Sequence, residues 1–328
     1  MPLTRSDVIW AYRLILGREP DNEDVIAHHA KMPSLAALRR ALLRSPEFQR
    51  RLPFALADPP GRNVDFERAP IVFLHIPKCA GTSLHAVLAS QPAQVVCGER
   101  HNGLGNWPVG HLAECTLFSG HFDYHSLRLI PAEQLRIVTT VRRPAERLIS
   151  LYRFLRAHTP AAVEASGQNM RLCGLARKHD PVAFFRHPAL ALHPSINNGM
   201  VRQLTEALPQ KRWEAFVPGR TYGGNLADRD PTAAVALAST RLEGMTAFGL
   251  QEQMDLSIRH IMDALGLSYS EEAPRKQVLE TLVARNPLLQ AVGEVIVDQR
   301  LAEAMRPHTE LDDALYSFAC ALFNQRTR

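Results

Sequence analysis

The stretch Ile71 to Ser83, IVFLHIPKCAGTS, constrains the fold of this chain more than any other. Its six apolar-leaning residues run without polar alternation, as a parallel strand covered on both faces requires. A proline, a lysine and a small-residue turn follow, and TSLHAVLAS then resumes at helical spacing. Similar short runs recur at Thr116 to Gly120, Leu135 to Val141 and Met245 to Leu250, the last two each followed by a helical pattern. Strands alternating with helices predict a doubly wound α/β domain with a mainly parallel central sheet flanked by helices.

That domain has an appendage. Residues 1–52 read as an N-terminal helical module, in which Val8, Ile9, Tyr12, Leu14, Ile15 and Leu16 cluster at near-helical spacing and SLAALRRALLRSPEFQRR resumes the pattern. The proline-rich residues 53–68 read as a linker, and residues 69–328 as the main domain, with 159–241 a helical and loop insertion beside the sheet. Asp21, Glu23 and Asp24 lack the glycine and distal glutamate of a calcium loop.

The chain has 328 residues, 46% hydrophobic and 22% charged, enough for one large core plus the module. Its formal net charge of +5 suits an anionic ligand, but the Lys/Arg blocks of a nucleic-acid arm are missing, so no nucleic-acid partner is expected. No apolar run reaches the about 18 residues of a membrane span, and the N-terminal residues carry Arg and Asp where a signal peptide needs an apolar stretch. The expectation is a soluble, cytoplasmic protein with no transmembrane segment, which leaves room for peripheral contact with a membrane. Five widely spaced cysteines without a C-x-x-C indicate reduced thiols rather than disulfides or a zinc site.

A buried parallel strand delivers its C-terminal end to the crevice where open α/β sheets bind ligands, and the next helix aims its N-terminus there. Into that position the sequence puts Lys78, Cys79, the small pair Ala80 and Gly81, and the hydroxyls of Thr82 and Ser83. The set is rich in donors and carries a full positive charge, so it suits an oxyanion of the phosphate or sulfate type. G-x-x-x-x-G-K-[ST] is absent, since the lysine precedes the glycine, and no apolar strand ends in a magnesium-holding aspartate. A solvated turn lysine beside a helix cap would explain the same residues without a ligand.

The run IVTTVRRPAERLISLYRF supplies a counterpart at the same sheet edge. A strand ends at Val141, Arg142 follows at its exit, Pro144 opens a helix, and Ser150 lies about two turns along it. An arginine fork with a hydroxyl can clamp a second phosphate. The alternative is that Arg142, Arg143 and Arg147 form a solvated helix face.

Together these two segments resemble sulfotransferases that use 3′-phosphoadenosine 5′-phosphosulfate, PAPS. HIPKCAGTS is similar to their 5′-phosphosulfate loop and VRRPAERLISLYRF to their 3′-phosphate segment, usually V-R-D-P-x-x-R-x-x-S-x-Y. The wording is closest to the carbohydrate-type branch that includes heparan sulfate 2-O-sulfotransferases and bacterial relatives. It extends through FSGHFDY, NNGMVRQLTE, MTAFGLQEQMDLSIRHIMDALG and LDDALYSFACALF, about residues 65 to 328. DVIWAYRLILGREPD resembles a module appended to bacterial glycan-modifying enzymes. Cys79 stands where threonine is frequent, and Arg143 replaces the usual aspartate.

The resemblance implies a P-loop-like three-layer fold and transfer of a sulfuryl group from PAPS to a hydroxyl of a carbohydrate or glycoconjugate, releasing 3′-phosphoadenosine 5′-phosphate, PAP. Lys78, Cys79, Ala80, Gly81, Thr82 and Ser83 would hold the donor's phosphosulfate end, Lys78 also acting in catalysis, while Arg142 and Ser150 would hold its 3′-phosphate. No metal is expected. His121, in LFSGHFDYH, aligns with the branch's catalytic histidine and would be the general base; a structural histidine, or a metal pair with His125 at i, i+4, are the alternatives. Asn198 and Arg202 could contact a ligand or serve in structural hydrogen bonds, and Phe184, Phe185 and Trp213 read as core before sugar platform. A nucleotide-dependent phosphotransferase and a noncatalytic nucleotide- or glycan-binding protein are the competing functions.

Overall fold

The apolar runs do become parallel strands. The computed structural model describes residues 3–16, 18–48, 69–91, 95–97, 104, 107, 109–191, 193–206, 226–268 and 279–327. Five strands, β1 (Ile71–Leu74), β2 (Val96–Cys97), β3 (Leu117–Gly120), β4 (Arg136–Val141) and β5 (Ala247–Leu250), form one sheet in the order β2-β3-β1-β4-β5. All four neighbouring pairs are parallel, with Ile71 opposite Leu117 on one side and Arg136 on the other. After β1 the chain fills one side of the sheet, then crosses to the other at β4. The crevice of such a switch point opens at the C-terminal ends of the strands flanking it.

The predicted strands fall within two residues of those observed, the first ending at Leu74, two residues before the end of its apolar run. β2 was not expected, because its two residues carry no apolar run long enough to register as a period. The linker at 53–68, residues 207–225 of the insertion and Trp213 lie outside the described residues.

The chain divides into two compact units, Met1–Asn63 with Trp107–Ala113, and Val64–Asn106 with Glu114–Arg328. In the first, three helices, α1 (Arg5–Leu16), α2 (Glu23–Ala30) and α3 (Leu35–Leu43), bury Val8, Tyr12, Leu16, Ile26, Leu38 and Leu42 against one another. Asn22 and Ser34 cap α2 and α3 by accepting from the amides of Val25 and Ala37.

In the second unit, α4 (Gly81–Ala89) follows β1 and packs Leu84, Val87 and Leu88 on Ile71, Phe73 and Val138. α5 (Pro144–Ala157) follows β4, with proline at its first turn, where the missing amide hydrogen has no cost. Its stripe of Leu148, Leu151, Tyr152 and Leu155 packs on α6 (Arg171–Lys178), on Phe184 and Phe185, and on the start of the long C-terminal helix. Phe184 and Phe185 are thus core, and the Tyr152 hydroxyl donates to the His179 carbonyl at 2.8 Å. α7 (Gly199–Thr205) and α8 (Pro231–Glu243) precede β5, and α9 (Met254–Ala264) adds Ile258, Ile261 and Met262 to the α4 face. The last helix, α10 (Gln299–Arg326), reaches β5, where Phe323 meets Phe248 with ring centres 6.0 Å apart. Helices on both faces of a parallel sheet give the three-layer α/β architecture. Among the described residues no helix is long and apolar enough to cross a membrane.

Candidate functional site

The turn after β1 is built from left-handed residues that are not glycine. Lys78 has φ 69° and Ala80 φ 60°, a conformation that costs an L-residue roughly 1–2 kcal/mol and therefore needs outside support. Three hydrogen bonds supply it: the Cys79 amide donates to the Ile76 carbonyl at 3.3 Å, the Thr140 hydroxyl to the Cys79 carbonyl at 2.7 Å, and Arg142 Nη1 to the Lys78 carbonyl at 3.2 Å. Two of these come from β4 and its exit, so the strand that leads to Arg142 also fixes the loop. Left-handed residues in such a turn aim consecutive N–H groups into one concavity, a shape that binds anions. The amides of Ala80, Gly81 and Thr82 donate to no acceptor among the described residues, and Ala80 provides no side-chain cap to α4. The positive end of the helix dipole adds to them.

Within the loop Cys79 faces the other way. Its thiol is fully buried, 4.0 Å from Met200 Sδ, and burial pushes its pKa up to about 12. The side chain takes no part in the donor rim, which is how cysteine is accommodated there.

Arg142 borders this loop, and Ser150 shares a helix face with a residue that touches it. Arg142 reaches Lys78 as described and lies 3.7 Å from Glu146, while its buried Nε has no hydrogen-bond partner among the described residues. Ser150 stands on α5 four residues before Phe154, so the two share a helix face. Phe154 is the residue under Lys78, with Nζ 4.5 Å from its ring centre, a cation–π contact. Ser150 therefore lies on the α5 face turned toward the loop. Arg143 is directed elsewhere: its side chain is exposed and pairs with Glu146 at 2.7 Å, while its amide donates to Glu252 Oε1 at 2.7 Å.

His121 reaches the loop through another histidine that sequence reasoning overlooked. His75, buried at the end of β1, stacks on Phe73 at 5.1 Å and meets His121 edge-on at 4.4 Å between ring centres. The same ring lies against Gly81, where a Cβ would fall 2.1 Å from His75 Cδ2. Gln203, fully buried on α7, donates to the carbonyls of His75 at 3.0 Å and Phe122 at 2.9 Å, tying together the exits of β1 and β3. His125 points away: its Nε2 is 2.9 Å from the Thr205 carbonyl. Among the described residues no group of three His, Cys, Asp or Glu could hold a metal ion.

Asn198 and Arg202 are structural. Asn198, at φ 48°, accepts from the Leu311 amide at 2.9 Å, and Arg202 is enclosed by Asn197, Glu206 and Asp228. Arg147 is also internal, bonded to the Ser195 carbonyl at 2.9 Å and paired with buried Asp312 at 3.2 Å. Asp312 in turn accepts from the amides of Met200 and Val201, capping α7. Burial raises the Asp312 carboxyl above its ordinary value, against the pull of Arg147 and these amides.

No protein-family model matches this chain, and no curated protein matches it.

Proposed function

We propose that the chain is a sulfotransferase that moves the sulfuryl group of PAPS to a hydroxyl of a carbohydrate or glycoconjugate and releases PAP. The observation that carries this reading is the loop of Lys78 to Ser83, held left-handed at two residues, with three amides that donate to no acceptor among the described residues, beside Arg142. That donor set fits a ligand with two phosphate-type groups: one at the loop, one near Arg142 and the Ser150 face of α5.

In this reading the sulfur–oxygen bond to the nucleotide breaks as the acceptor oxygen bonds sulfur in line. Negative charge grows on the departing phosphate, and Lys78 with the amides of Ala80, Gly81 and Thr82 would stabilise it. Losing one such preorganised donor typically costs about 10²–10³ in rate. The acceptor proton would pass to His121, a general-base contribution of about 10²–10⁴. His75 and Gln203 hold the turns on either side of that imidazole. Arg142 and Ser150 would act chiefly in binding.

A thermal-shift titration tests this reading. A PAP-induced rise that needs no metal, and that is lost in Arg142→Ala, supports it. A response to magnesium-ATP with none to PAP would favour a phosphotransferase. PAP binding without sulfuryl transfer to any hydroxylated glycan, unaffected by His121→Ala, would favour a noncatalytic binding protein. At about a hundredfold excess over Kd the stabilisation is roughly 2.7 kcal/mol, well within detection.

A further inference from the structure

Arg142 is held at its guanidinium by the Lys78 carbonyl at 3.2 Å and by Glu146 at 3.7 Å, but these distal contacts leave open what fixes the direction in which the side chain leaves the backbone. The next peptide does. The Arg142 carbonyl and the Arg143 N–H lie in one rigid plane, and that N–H donates to Glu252 Oε1 at 2.7 Å. Glu252 follows β5, the strand beside β4, and its second oxygen accepts from the Tyr316 hydroxyl of α10 at 2.8 Å. The carboxylate is thus gripped from two elements and grips the peptide that leaves β4.

Two further features agree with this arrangement. The cap position of α5 is Arg143, whose side chain makes no capping hydrogen bond and whose own amide is taken by Glu252. The Tyr316 phenol is pushed up by burial and by Glu252 and Cys320, which keeps it a hydrogen-bond donor.

We propose that Glu252 is a positioning residue for the 3′-phosphate clamp: with Tyr316 it sets the Arg142–Arg143 peptide plane and hence the approach of the Arg142 guanidinium to a ligand phosphate. The inference rests on the sulfotransferase reading above. It assigns to the β5 exit and α10 the task of holding an arginine that neither touches.

The test compares PAP with adenosine 5′-phosphosulfate, which lacks the 3′-phosphate, by calorimetric titration of the full chain. Glu252→Ala is expected to weaken PAP about tenfold and adenosine 5′-phosphosulfate less than about twofold, in line with the loss of one charge-assisted hydrogen bond. Glu252→Gln, whose amide oxygen can still accept from Arg143, should recover most of the difference. A merely structural cap would lower the melting temperature while leaving the ratio of the two affinities at the wild-type value, and that result would overturn the proposal. So would a glutamine variant indistinguishable from the alanine one. If Glu252→Ala does not fold, Tyr316→Phe takes its place, with an expected drop of about threefold in the same ratio and an unchanged ratio counting against the proposal. Wild-type protein that binds neither nucleotide, or binds both equally, would instead remove the sulfotransferase reading and this inference with it.

Discussion

Gly81→Ala would place a methyl group where His75 now sits. The backbone there tolerates alanine, because Gly81 opens a helix and is not among the residues with positive φ; propensity alone would favour the change by about 0.5–1 kcal/mol. The added Cβ, however, would lie 2.1, 2.3 and 2.7 Å from His75 Cδ2, Nε2 and Cγ, so the ring must shift by about 1 Å to reach ordinary packing distance. It has little room: it is 6% exposed, stacked on Phe73 and set against His121, and its carbonyl is held by Gln203. Overpacking of this kind costs about 1–3 kcal/mol, so it outweighs the propensity gain and leaves a net loss of roughly 1–2 kcal/mol. Urea unfolding of wild type, Gly81→Ala, His75→Ala and the double variant measures it. If the clash is real, the double variant is more stable than the two single losses predict, with a coupling of about 1 kcal/mol. Full stability in Gly81→Ala, or strict additivity, would refute the argument. Displacing His75 also displaces His121, so under the proposed sulfotransferase reading sulfuryl transfer should fall further than PAP affinity.

Ala80→Gly relieves a left-handed alanine and should leave stability unchanged or raise it by up to about 1 kcal/mol in urea, while a looser loop weakens PAP; lost stability would speak against strain at Ala80. Arg147→Ala strands the buried Asp312 carboxylate and should cost about 3–5 kcal/mol. Without its partner Asp312 is pushed further above the ordinary 3.8, so the deficit should shrink as pH falls toward that value; a deficit independent of pH would refute the pairing. Cys79 and Cys173, pushed up to about 12 and about 11 by burial, should resist iodoacetamide at pH 8 until the protein unfolds, while half-buried Cys320 reacts before either. The raised thiol values also fix a sign: their contribution is intact below about pH 9, where unfolded thiols begin to ionise, and is lost as pH rises toward 11 and 12.

Much of the fold was legible because the sheet is buried on both faces, so IVFLHI, LRIVTTV and MTAFGL appear as unbroken apolar runs with turns behind them. β2 was not, since two residues paired to β3 leave no period. The 28-residue length of α10 was not either, because Pro307 within it marks a break by local rules that packing of Leu301, Met305, Leu315 and Phe323 overrides. At the site, the backbone features were readable as a strand, turn and helix, and the small residues at Ala80 and Gly81 had a visible reason. Partners brought from far along the chain were hidden: Gln203 to His75, Glu252 to Arg143, Phe154 to Lys78. Nothing in local periodicity reports which buried polar group meets which.

That hidden pairing changes what the basic residues mean. From sequence, Arg142 reads as a phosphate clamp, Arg142, Arg143 and Arg147 alternatively as a solvated helix face, and Arg202 as either a ligand contact or a structural residue. In the fold, Arg202 is enclosed by Glu206 and Asp228, Arg147 by Asp312 and two carbonyls, and Arg136 by the carbonyls of Ala69 and Leu265. Guanidinium groups so enclosed cannot turn to a ligand without leaving a carboxylate or carbonyl unsatisfied, a cost of about 1–3 kcal/mol or more for each group abandoned. Arg143 pairs with Glu146 in solvent. Arg142 differs from all of these in lying against the loop, where it donates to the Lys78 carbonyl and pairs with Glu146 only at 3.7 Å. The internal ion pairs thus select among similar arginines, and under the proposed reading they leave the phosphate clamp to Arg142, which precedes the amide that Glu252 holds.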